Sequence, residues 1–295
     1  MGIWVLGSIN LDHVYRVHEL PRAGETIAAH DYSCGLGGKG ANQSIAAARA
    51  GATVHHVGAV GPDGDAAIAA LSQAGVDVAG VDRQAGPTGH AIINVDDSGE
   101  NAIVILAGAN ACLDTGRITQ ALAAAAPGDT LMLQNETNAV EEAASIGRAK
   151  GLRVAYSAAP FDAGAVRAML PLCDILLCNE GEAEEIRQML GCSVEEIPVP
   201  TLVVTRGARG VGLYVQGQET VEQPAFKVDP VDTTGAGDTF AGYFIAGLDG
   251  GPNGGLNPRE ALARAAAASA IQVTRAGAAI AIPALAEVLE FQKAR

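Results

Sequence analysis

Short apolar runs bounded by Gly, Asn or Asp alternate along this chain with longer Ala-rich stretches whose apolar residues recur at helical spacing. Uninterrupted apolar runs suit strands covered on both faces, as in a parallel sheet. They predict strands at residues 3–7, 53–59, 130–134, 153–157, 174–178 and 202–205. Between them the spacing predicts a helix over 38–50, where Ala41, Ser44, Ile45 and Ala48 share a face and Gly51 supplies a stop. Comparable helices are expected over 63–74, 138–150, 180–190, 236–248, 258–273 and 284–293, and the alanine run at 265–268 belongs to a helix, not a linker. Such alternation is the signature of an α/β fold: a three-layer αβα arrangement around a mostly parallel sheet.

Two stretches break the rhythm. Residues 11–34 carry period-two pieces, such as Tyr15 and Val17, and the runs 89–95 and 101–106 flank Asp96-Asp97-Ser98-Gly99, a hairpin signal. They predict a small β-sheet lid, residues 11–34 and 87–107, inserted into an α/β body formed by 1–10, 35–86 and 108–295. Its open edges would close over a site or pair with another subunit. The chain has neither internal repeats nor a long linker.

Composition narrows the function. With 295 residues, 48% hydrophobic and 18% charged, the chain can bury a large core. A net charge of -14 repels a phosphate backbone and excludes nucleic acid and anionic membranes as general partners. An anionic substrate then needs a local positive field from helix N-termini, backbone N–H groups or a cation. The cysteines, Cys34, Cys112, Cys173, Cys178 and Cys192, are odd in number with no Cys-x-x-Cys pair, which fits a reducing compartment and buried apolar roles. The start, Met1-Gly2-Ile3-Trp4-Val5-Leu6-Gly7, lacks a basic region, and no run approaches the ~18 apolar residues of a membrane helix, so a cytoplasmic protein is expected. His55-His56 has no partners at metal spacing and reads as structural.

Chemistry concentrates in Asp232-Thr233-Thr234-Gly235-Ala236-Gly237-Asp238-Thr239-Phe240, where Gly-rich backbone runs straight into a helix. Gly235 and Gly237 let phosphoryl oxygens approach free N–H groups, and the helix start adds about half a positive charge. Asp238, expected to stay ionised, is placed to accept a hydroxyl proton. Taken alone, the segment is also a plain turn and N-cap.

A second glycine-rich segment, Gly35-x-Gly37-Gly38-Lys39-Gly40-Ala41-Asn42-Gln43, satisfies the spacing of a dinucleotide fingerprint, yet no buried strand precedes it. Nor is it a phosphate-binding P-loop, since Ser33 replaces the first Gly and Gly40 the magnesium-binding hydroxyl. Polyol recognition explains it better: Gly38 allows close backbone approach, while Lys39 and Asn42 offer donors and an amide to adjacent hydroxyls.

Both segments closely resemble the signatures of the ribokinase family of carbohydrate kinases, in matching order over residues 7–283. The resemblance implies that Gly235, Ala236 and Gly237 form an anion hole and that Asp238 is the catalytic base. It places Asn10, Asp12, Gly38, Lys39, Asn42 and Glu136 against the sugar. Asn179 and Glu182, in Asn179-Glu180-Gly181-Glu182, match a motif that organises Mg2+ and phosphate through water, although a helix N-cap looks the same locally. Thr205-Arg206-Gly207-Ala208-Arg209-Gly210 matches the loop beside the nucleotide, and a plain hairpin would look similar. A monovalent cation, K+, would sit by Asp232 and Thr234 and by carbonyls near Gln272, Arg275 and Gly277.

Two departures stand out. Ala281 replaces a common serine beside the cation, and Ala266 replaces a polar residue beside adenine. The implied reaction is ATP-dependent phosphorylation of a sugar, foremost the 5-hydroxyl of ribose, by a homodimer paired through the lid. Kinases of fructose, deoxyribose or adenosine share Asp238 and differ in acceptor. A nicotinamide oxidoreductase would bind NAD at Gly35, Gly37 and Gly40, and a silent sugar-binding homologue would tolerate Asp238→Asn.

Overall fold

The computed structural model describes residues 1–249 and 255–294. A nine-stranded sheet runs through it, built from β1 (Ile3–Leu6), β4 (Val54–Val60), β5 (Val76–Arg83), β8 (Thr130–Gln134), β9 (Arg153–Ser157), β10 (Ile175–Asn179), β11 (Thr201–Thr205), β12 (Val211–Val215) and β13 (Val221–Gln223). Its spatial order is β13-β12-β11-β10-β9-β8-β1-β4-β5, parallel from β11 to β5 with antiparallel β12 and β13 at one edge.

The apolar runs behave as two-sided strands: Ile3 and Val5 enter one core and Trp4 and Leu6 the other. The first core packs α1 (Lys39–Arg49), α2 (Asp65–Gln73), α7 (Ala236–Asp249), α8 (Pro258–Gln272) and α9 (Leu285–Lys293). The second packs α3 (Thr115–Ala121), α4 (Val140–Ala149), α5 (Ala163–Met169) and α6 (Glu180–Leu190). The three layers expected from the alternation are present.

The lid strands form a separate sheet from β2 (Asn10–Arg16), β3 (Asp31–Gly37), β6 (Gly89–Val95) and β7 (Asn101–Leu106), in the order β3-β2-β6-β7. The hairpin signal is realised between β6 and β7, where Asp96 N–H donates to Glu100 O at 3.0 Å and Gly99 takes φ +89.

Several elements lie beyond the expected ones. β5 carries Asp77, Asp82 and Arg83 and sits at an edge, so it lacks an apolar run. α3 and α5 are seven residues each, too short for the periodicity to stand out; Asp114 and Asp162 cap them by accepting from Arg117 N and Ala165 N. His56 fulfils its structural role: fully buried, it bonds Ser44 Oγ and Gly7 O, and burial holds its pKa down at about 4. The cysteines correct the expectation in part: Cys173 and Cys178 are buried, whereas Cys34 and Cys112 are exposed, and all five are free. Among the described residues no helix is long and apolar enough to cross a membrane.

Candidate active site

Parallel strands place the functional residues together because their carboxyl ends share one rim of the sheet. Ser8, Asn10 and Asp12 follow β1, Glu136 follows β8, Asn179 ends β10, and Thr205 ends β11. The starts of α1 and α7 complete the rim.

At the start of α1, Gly38 adopts φ +90, and a Cβ there would lie 2.9 Å from Ser8 O. This approach leaves the first turn open to the Glu136 carboxylate, which accepts from Lys39 N at 2.9 Å and from Ser8 Oγ, with Lys39 Nζ at 4.0 Å. Asp12 pairs with Gly35 of β3, and its carboxylate lies over Gly37, where a Cβ would collide with Asp12 Oδ2. Burial first, and then the charge of Glu136, pushes the Asp12 carboxyl up to about 6. Asn10 is held by Asn110, whose Nδ2 donates to Asn10 Oδ1 at 2.7 Å while its Oδ1 accepts from Ile9 N at 3.0 Å.

Asp238 lies in the first turn of α7, only 8% exposed. Its Oδ2 accepts from Asn42 Nδ2 and its Oδ1 from Gln43 Nε2, both at 3.1 Å. Gln43 is itself fixed, since its Oε1 accepts from Gln134 Nε2 at 2.7 Å. Glycine makes the encounter possible: a Cβ at Gly242 would come within 2.5 Å of Ala46 Cβ and 2.6 Å of Gln43 O, so α7 lies directly on α1.

Burial raises the pKa of Asp238, while Lys39, Asn42 and Gln43 act to lower it, and the net direction is upward. Ionisation there therefore depends on these partners and not on the helix start alone. Burial also acts to lower the Lys39 pKa, but the carboxylates of Asp238, Glu136 and Glu182 outweigh it and raise it. The ammonium stays charged.

Beside this carboxylate the helix start faces solvent. Gly235 adopts φ +76, Gly237 is exposed, and a Cβ on Gly237 would touch nothing. Among the described residues no acceptor engages the N–H of Gly235, Gly237 or Asp238. Ala236 N–H donates to Thr233 O at 3.2 Å, which pins the loop in place. Open amides, a helix dipole and an adjoining buried carboxylate together suit binding of an anion next to an alcohol that must lose its proton.

The remaining expected residues fall into groups along the same rim. Asn179 caps α6 in a capping box, accepting from Glu182 N at 2.9 Å while Glu182 Oε2 accepts from Asn179 N at 2.8 Å. The cap and the site share this carboxylate: burial raises the Glu182 pKa, the Asn179 N–H and Lys39 oppose that, and Glu185 and Asp238 add to it. The segment from Thr205 to Gly210 forms a hairpin connection between β11 and β12, with a tight turn at Gly207, Ala208 and Arg209. Its arginines are engaged, Arg206 with Glu222 and Tyr214 and Arg209 with Glu180.

Asp232 ties two loops together, accepting from Thr234 N and Gly277 N, each at 2.9 Å. Gln272 Nε2 donates to Thr234 O, while its Oε1 is buried with no donor. Arg275 pairs with Glu287, Ala281 is buried in a short turn, and Ala266 is half-buried in α8. The fingerprint Gly35, Gly37 and Gly40 does not open a Rossmann unit: the preceding strand is β3, an exposed antiparallel lid strand.

Gln43, Gln134, Asn110 and Ser8 belong to the site without having been singled out in sequence. Gln43 stands inside the glycine-rich segment from Gly35, which is the one signal it gives.

Comparison with known proteins identifies the family. Residues 2–285 match the family described as pfkB family carbohydrate kinase. A ribokinase of Haemophilus influenzae is 38% identical over 305 residues, covering 97% of each chain. The crystal structure of a Thermotoga maritima ribokinase superposes with a TM-score of 0.85 at 34% identity, covering 99% of both chains. An Arabidopsis thaliana ribokinase complexed with ribose and ATP has a TM-score of 0.84 at 29% identity, covering 99% of this chain and 98% of that one. The chain belongs to the pfkB family of carbohydrate kinases and is a phosphotransferase of the ribokinase type.

Proposed function

We propose that the chain transfers the γ-phosphoryl group of ATP to the 5-hydroxyl of D-ribose, forming ribose 5-phosphate and ADP. One observation carries the reading: the Asp238 carboxylate, gripped by Asn42 and Gln43, adjoins the open amides of α7 and lies within the field of Lys39. Asn10, Asp12, Gly38, Lys39, Asn42 and Glu136 form the sugar side. Asn42 Oδ1, a buried acceptor with no donor, would be satisfied by a sugar hydroxyl.

In the reaction the sugar oxygen attacks the γ-phosphorus, its proton passes to Asp238, and the bond to the ADP oxygen breaks. The open amides of Gly235 and Gly237 would hold the charge gathering on the transferred group, with Ala236, whose N–H donates to Thr233 O, spacing them. Asn179 and the loop from Thr205 to Gly210 would border the nucleotide. Mg2+, when bound, would neutralise phosphate charge, and Glu182 would hold it through water, since its Oε1 is not spent in the cap. The loops joined by Asp232 would take a monovalent cation, with the unpartnered Gln272 Oε1 as a further acceptor and no side-chain oxygen from Ala281.

An ADP-release assay across pentoses, hexoses and nucleosides, with and without potassium, tests the acceptor and the cation. Ribose should give the highest kcat/KM. Asp238→Asn should lower turnover by ~10³ or more while ribose binding is largely kept. Near-normal turnover in that variant would refute the assignment.

A further inference from the structure

Three side chains that the kinase reading leaves unused meet at the outer end of the lid. His18 follows β2, His30 precedes β3, and Asp97 lies in the hairpin between β6 and β7. Backbone bonds set these segments side by side: Val17 N donates to Val95 O at 3.0 Å, and His30 N to Arg16 O at 2.9 Å. His18 Nδ1 lies 3.0 Å from Asp97 Oδ2, and His30 Nε2 lies 3.5 Å from Asp97 Oδ1. The two imidazole rings are 4.9 Å apart, and one ligating atom from each residue falls within 4.8 Å of the others.

A tetrahedral ion with bonds of about 2.0–2.2 Å spaces its ligands roughly 3.3–3.6 Å apart, so small side-chain rotations suffice. All three groups are exposed, which leaves room for water to complete the shell. Two imidazoles with one carboxylate favour Zn2+ and its neighbours over Mg2+, which prefers an all-oxygen octahedron.

We propose that His18, His30 and Asp97 form a binding site for a divalent transition ion of the Zn2+ class on the outside of the lid, distinct from the Mg2+ that accompanies ATP. An ion there would fasten the segment between β2 and β3 to the hairpin joining β6 and β7.

The test is a Zn2+ titration against a chromophoric chelator in excess Mg2+, for the parent chain and for His30→Ala and Asp97→Asn. Both variants should bind Zn2+ at least tenfold more weakly while keeping the parent's circular-dichroism spectrum. A His18→Ala/His30→Ala variant with unchanged affinity and stoichiometry would overturn the site and point to the exposed thiols of Cys34 and Cys112. Because substitution can disturb a lid, paramagnetic Co2+ added to the unaltered chain gives a second readout. It should shift the ring protons of His18 and His30 and spare those of His56, and uniform shifts or none would count against the proposal.

Discussion

Asp12 shows how one residue sets a pH limit. In the proposed role Asp12 accepts from sugar hydroxyls as a carboxylate, and this carboxyl is pushed up to about 6 by burial and Glu136. The kcat/KM for ribose should therefore fall as pH drops through about 6, and Asp12→Asn should remove that limb while weakening sugar binding ~10–100-fold. Stability follows the opposite sign. The folded chain holds this proton more tightly than the unfolded chain, whose carboxyl titrates near 3.8, so the burial penalty is absent in acid and grows as pH rises through about 6. Denaturant titrations at neutral pH should find Asp12→Asn more stable by on the order of 1 kcal/mol. Residues such as Asp238, Lys39 and Asn42 were legible because their chemistry sits in compact motifs. Gln43 was not assigned a role, because it depends on a carboxylate 195 positions away that only the fold brings near.

At the scale of elements, the contact of α1 with α7 decides whether base and sugar side face one another. A methyl at residue 242 would strike Ala46 Cβ and Gln43 O, so Gly242→Ala should separate the helices, destabilise the chain by ~1–3 kcal/mol and lower kcat. Urea unfolding and ADP release measure the two effects. Unchanged values for both would show that the approach is not needed. The long helices and the doubly buried strands were legible in the pattern because burial on both faces, or along one stripe, forces a period on the sequence. The edge strands β5 and β13, and β12 next to an edge, escaped, since half-exposed residues such as Asp77 and Tyr214 blur any period.

At the scale of the whole molecule, the lid shows an open apolar edge. Ile103, Val104, Ile105 and Leu106 of β7 are exposed, Val104 at 68%, and such an edge supports the proposal that two copies pair through their lids. Light scattering should report a dimer for the parent and a monomer for Val104→Asp; a monomeric parent would remove the proposal. Sequence marked this sheet as separate but not its order, because the parallel pairing of β2 with β6 joins segments far apart in the chain. The split has a practical side. Asn10 and Asp12 ride on β2, whose strand ladder runs only to β3 and β6 of the small sheet although Asn110 of the main body holds the Asn10 side chain, whereas Lys39, Asn42, Glu136 and the amides and base of α7 belong to the main body. On the proposed roles, part of the choice of alcohol is thus written apart from phosphate handling, so an engineer can vary Asn10 and Asp12 along β2 while leaving the start of α7 unchanged.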